Sequence, residues 1–109
     1  MIELSILQEQ LVDEYLRCER NLAVQLDNLN SNYIKGYLSR KIINGKEYYY
    51  LQYREEDKII SKYIPFEHVK IIKNRLEEQK RWKKSIKNLQ ADMKAILKIV
   101  KKEAIDERR

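Results

Sequence analysis

The sequence predicts an α+β fold: a long helix, a three-stranded antiparallel β-meander and a longer helix, the two helices pairing antiparallel in coiled-coil fashion. Three observations predict it. Apolar residues recur at spacings of three and four in the first thirty positions and again after Pro65. Between these regions the chain turns β-branched and aromatic, with Asn44-Gly45 dividing two such runs.

In the first region Leu4, Leu7, Leu11, Tyr15, Cys18, Leu22, Leu26 and Leu29 share one helical face. Their grouping repeats every eleven residues, a period that keeps a helix nearly straight. The cluster Asp27-Asn28-Leu29-Asn30-Ser31-Asn32 competes with helical backbone, so the helix is expected over 1–30. Strands follow across 33–64. Asn44-Gly45 accepts the positive φ angles of a type I′ hairpin turn, and Glu55-Glu56-Asp57 marks a second, weaker turn. In the middle strand Tyr49, Leu51 and Tyr53 share one face and Tyr48, Tyr50, Gln52 and Arg54 the other. The first set is expected to be buried, with the inverse assignment open because both faces carry tyrosine.

Pro65 suits the first position of a helix, where its missing N–H costs nothing. The second helix is expected over 66–107, with Val69, Ile72, Leu76, Trp82, Ile86, Leu89, Met93, Ile96, Val100 and Ala104 as its stripe. The two helices would be roughly 40 Å and 60 Å long. That mismatch predicts an unpaired end, where Ile96, Leu97, Ile99, Val100 and Ile105, with Trp82 further up the stripe, form an association surface for a homodimer or a partner helix.

The 109 residues suit a single domain with a modest core. No apolar run reaches the roughly 18 residues of a membrane span, and the first residues lack the features of a signal peptide, so a cytoplasmic protein is expected. The net charge of +6 favours polyanionic partners. It is unevenly spread: residues 1–30 hold two arginines against six carboxylates, whereas 67–109 hold fourteen Lys and Arg against seven.

No catalytic, metal or cofactor constellation emerges, and a non-enzyme is expected. His68 is the only histidine and Cys18 the only cysteine, the latter on the apolar stripe. The two glycines, Gly36 and Gly45, form no phosphate-binding loop.

Function is expected from the basic, tyrosine-rich sheet. Arg40, Lys41, Lys46, Tyr48, Tyr50, Arg54, Lys58 and Lys62 are its candidate contacts. Tyrosine rings stack on bases while Lys and Arg neutralise phosphates, so nucleic acid is the leading partner. Lys80, Arg81, Lys83 and Lys84 extend the basic surface along the second helix. The rival partner is an acidic protein surface, since tyrosine and arginine also compose protein interfaces; the chain would then be a regulator, an antitoxin or an enzyme inhibitor.

From Gly36 to Pro65 the chain reads GYLSRKIINGKEYYYLQYREEDKIISKYIP. This resembles a module in small uncharacterised bacterial and archaeal proteins: a Gly, a basic strand, Gly-Lys, Tyr-Tyr-Tyr-Leu, Tyr-Arg-Glu, and a Lys before Ser-Lys-Tyr-Ile. The matching positions are Gly36, Gly45, Lys46, Tyr48, Tyr49, Tyr50, Leu51, Tyr53, Arg54, Glu55, Lys58, Ser61, Lys62, Tyr63 and Ile64. The module usually has Gly-Gly in the second turn and Gly at its end, where this chain has Glu56-Asp57 and Pro65. The resemblance implies the three-stranded fold and a setting near mobile-element, defence or toxin–antitoxin genes; it implies no activity.

Overall fold

The structure, a computed structural model, describes residues 3–109. Its elements are helix α1 (Ile6–Ser31), strands β1 (Tyr37–Ile43), β2 (Lys46–Glu55) and β3 (Lys58–Ile64), helix α2 (Phe66–Leu97) and helix α3 (Lys102–Arg108). The order is the expected α+β one, with the sheet in meander order β1-β2-β3. The described residues group into two compact units, one of residues 3–31 and 81–109 and the other of residues 32–80.

In the first unit α1 starts at Ile6, later than the expected residue 1, because Ser5 and Gln8 form a capping box. The Gln8 N–H donates to Ser5 Oγ (3.2 Å) and the Ser5 N–H to Gln8 Oε1 (3.0 Å), satisfying two N-terminal donors. The expected positions 1 and 2 lie outside the described residues. Val12 of α1 packs with Ile96 of α2, and Cys18 lies within electrostatic reach of Asp92. Position numbers rise along one helix as they fall along the other, so the pair is antiparallel.

The second helix does not run to 107. It ends at Leu97, and the chain turns through Lys98–Lys101 and returns as α3. The end tightens: the Ile99 and Val100 N–H groups both donate to the Ile96 carbonyl at 2.9 Å. No Gly or Pro marks the break. What the break achieves is burial, since Val100, Ala104 and Ile105 join Val12 and Ile96 in one cluster flanked by Leu4, Leu11, Tyr15 and Leu16. Sealing a branched aliphatic side chain from water stabilises by about 1.5–3 kcal/mol, and the break seals two of them, Val100 and Ile105. Arg108 pairs with Asp13 and Arg109 with Glu19, fastening α3 to α1.

This corrects the expected association surface. Ile96, Val100 and Ile105 are buried by the chain itself, and Trp82 is half-buried; only Leu97 and Ile99 remain exposed. The stripe of α1 also shifts, since fully buried Val12 joins it while Leu7 is exposed. Cover from α3 widens the contact face toward Val12.

In the second unit the turn at Asn44-Gly45 has φ angles of 53° and 79°, as a type I′ turn requires. The second turn places Glu56 at φ 54°, a left-handed conformation that glycine adopts freely and glutamate does not. Gly36 (φ 106°) lets the chain enter β1 against β2: a Cβ there would collide with the Gln52 carbonyl oxygen and lie 2.9 Å from Tyr53 Cβ. Lys73 of α2 places its Nζ 4.8 Å from the centre of the Tyr49 ring, which sets this helix on the Tyr49 side of the sheet, and Ile64 and Val69 at the junction are buried. Buried Gln79 ties in the incoming chain through both backbone groups of Ile34.

A tyrosine and cation face on the sheet

Directly paired residues of an antiparallel ladder share a face, so the register sorts every side chain of the sheet. Tyr37 pairs with Gln52, Ser39 with Tyr50, Lys41 with Tyr48 and Ile43 with Lys46. On the other side Tyr50 pairs with Tyr63, Gln52 with Ser61 and Arg54 with Ile59. These residues make one face. The opposite face carries Tyr49, Leu51 and Tyr53 with Arg40, Lys58 and Lys62, and it is the one that Lys73 marks as lying against α2.

Both strand carboxylates, Glu47 and Glu55, fall on the face toward α2, where Glu47 accepts a hydrogen bond from Arg40 at 3.2 Å. The other face holds no Asp or Glu on any strand, only Lys41, Lys46 and Arg54 among its charged groups. The tyrosines there cluster: Tyr63 meets Tyr50 edge-on at 5.8 Å between ring centres and Tyr48 at 6.5 Å. Lys41 Nζ sits 4.9 Å from the Tyr50 ring centre, a cation–π arrangement. Tyr37 and Tyr63 are exposed, and Tyr48 and Tyr50 are half-buried by their neighbours.

The expected contacts are therefore divided. Lys41, Lys46, Tyr48, Tyr50 and Arg54 come together, whereas Arg40, Lys58 and Lys62 belong to the opposite face. Lys80, Arg81, Lys83 and Lys84 are exposed on α2. The register adds Tyr37, Gln52 and Tyr63 to the face of Tyr50.

His68 and Cys18 were singled out in the sequence as the only histidine and the only cysteine. His68 is exposed near the start of α2. The Cys18 thiol is buried beside Glu14, and burial first, then the carboxylate, pushes its pKa up, which keeps it protonated and a poor nucleophile. Glu14 accepts a hydrogen bond from Arg17 Nε at 2.9 Å, and this bond holds its carboxyl below the usual range. Among the described residues no group of three His, Cys, Asp or Glu is placed to hold a metal, and no helix is long and apolar enough to cross a membrane.

Fold and site together define a small α+β protein whose sheet carries a carboxylate-free tyrosine and cation face. The chain belongs to the family described as a domain of unknown function, DUF6788, whose model matches residues 2–74. That span takes in α1, the whole sheet and the opening of α2, so the tyrosine face lies inside the family match. No curated protein and no solved structure matches the chain.

Proposed function

We propose that this is a non-enzymatic nucleic-acid-binding protein that uses the tyrosine face of its sheet for contact and the exposed cations of α2 for additional phosphate contacts. The observation that carries this reading is the sorting of charge by strand register. Both strand carboxylates lie on one face, and the other combines four tyrosines with three cations. Aromatic rings supply sequence-tolerant stacking for bases, and Lys and Arg release counterions from phosphates.

The contact between Lys41 and Tyr50 fits the same use. At an exposed site a cation–π pair contributes about 0.5–1 kcal/mol, less than a stacked base at about 1–3 kcal/mol. An incoming base can displace the ammonium from the ring, and the ammonium then meets a phosphate.

The test is the affinity of the full chain for a fluorescent oligonucleotide across a series of salt concentrations. The reading expects log affinity to fall linearly with log salt, with a slope near the number of phosphates neutralised. No binding at low salt would overturn it. A stoichiometric partner protein that stays bound through nuclease treatment would favour the regulator instead, with the same face serving as a protein interface.

A further inference from the structure

The charged and aromatic residues of the tyrosine face are ordered along β2 rather than mixed. On that face the strand presents, in turn, Lys46, Tyr48, Tyr50, Gln52 and Arg54. The two cations stand at the ends, about 27 Å apart at the usual rise of a strand, and the rings lie between them. The neighbouring strands widen this aromatic centre, since Tyr63 of β3 pairs with Tyr50 and Tyr37 of β1 pairs with Gln52. Lys41, paired with Tyr48, is the one cation within it. Tyr37 and Tyr63 are each more than half exposed. Tyr63 crosses Tyr50 at 66° and Tyr48 at 52°, so these rings are not stacked in parallel on one another.

This order distinguishes between two forms of nucleic acid. The bases of a single strand separate from their neighbours readily and stack on aromatic side chains. In a duplex each base is covered above and below by the adjacent pairs, and extruding one costs a few kcal/mol. A duplex laid on this face therefore offers the cations its phosphates and offers the rings nothing to stack on.

Resting on the nucleic-acid reading above, we infer that the tyrosine face selects single strands, with the strand running along β2, its bases on the rings and its phosphates at Lys46, Lys41 and Arg54. The span between the end cations suits a short site, near the lower limit of about four nucleotides for a single-strand module. Three phosphates neutralised on the face contribute a salt slope of about 2. Stacking releases no counterions, so its share of the affinity persists when salt has removed the rest.

The test measures the affinity of the full chain for a fluorescent single strand, and for the same strand annealed to its complement, from low salt up to about 1 M, where the Debye length is about 3 Å. Single-strand binding is expected to remain measurable at the highest salt, and duplex binding to be lost. Tyr63→Ala is expected to lower single-strand affinity about ten-fold at every salt concentration, with the slope unchanged and duplex affinity lowered by less than about two-fold. Tyr63→Phe, which keeps the ring, should retain most single-strand binding. Lys46→Ala should do the reverse of Tyr63→Ala, reducing the slope by about 0.7 and sparing the high-salt affinity. Tyr37→Ala, at a second exposed ring, is read in the same way, and thermal melts show which variants are folded. The inference is overturned if single strand and duplex bind alike and are lost together as salt rises, or if folded Tyr63→Ala and Tyr37→Ala both keep the full single-strand preference. Failure of every oligonucleotide to bind at low salt would instead remove the nucleic-acid reading, and this inference with it.

Discussion

Gln79 closes both backbone hydrogen-bonding groups of Ile34: the Ile34 N–H donates to Gln79 Oε1 at 2.7 Å, and Gln79 Nε2 donates to the Ile34 carbonyl at 2.9 Å. The glutamine is buried and replaces the strand partner that residue 34, ahead of β1, lacks. Gln79→Met preserves the volume but leaves two backbone groups unpaired. It is expected to destabilise by about 2–4 kcal/mol, read as a lower urea midpoint.

The backbone at three turn positions makes a graded prediction. Gly36→Ala meets both a forbidden φ and the backbone of β2, and should cost at least about 3 kcal/mol. Gly45→Ala meets nothing within 4 Å, so only its positive φ counts, about 1–2 kcal/mol. Glu56→Gly should stabilise, because relief of the left-handed strain exceeds the added freedom of the unfolded chain by roughly 0.5–1 kcal/mol. Thermal melts of the three variants check the order.

The sheet was legible because its punctuation is local. Asn44-Gly45 announces its own turn type, and alternation then assigns Tyr49 and Tyr50 to opposite faces. The break after Leu97 was not legible, since Leu97-Lys98-Ile99-Val100-Lys101 contains no breaker. A continued helix and a folded-back one differ there only in what Val100 and Ile105 bury, which is a tertiary quantity. Gln79 escaped for a similar reason: in a helix of lysines and glutamates, one more polar residue carries no mark of burial. For the contact face, the tyrosines and cations were evident, but separating Arg40 from Lys41 took the register.

Because Val100 and Ile105 lie in the core, substitutions there should act on stability. Ile105→Ala is expected to cost about 2–5 kcal/mol. Ile96→Asp and Val100→Asp should reduce the helical circular dichroism signal of the first unit. A loss of assembly with unchanged melting would contradict the folded-back arrangement.

The Cys18 thiol gives a pH prediction. Its folded pKa is raised, so the stability it contributes is present below the ordinary thiol value and is lost as pH rises from there through the folded value. Alkylation of the native chain at neutral pH should be slow and should accelerate on adding urea. Rapid labelling under native conditions would show that the thiol is not enclosed.

One sheet face is proposed to carry the contacts. The most direct test compares the oligonucleotide affinity of two folded variants at one salt concentration: Lys41→Ala with Tyr50→Ala and Arg54→Ala on the tyrosine face, and Arg40→Ala with Lys62→Ala on the face toward α2. A loss of about hundred-fold is expected for the first and less than about three-fold for the second. Equal losses would mean that positive charge alone drives binding and that neither face is the binding face.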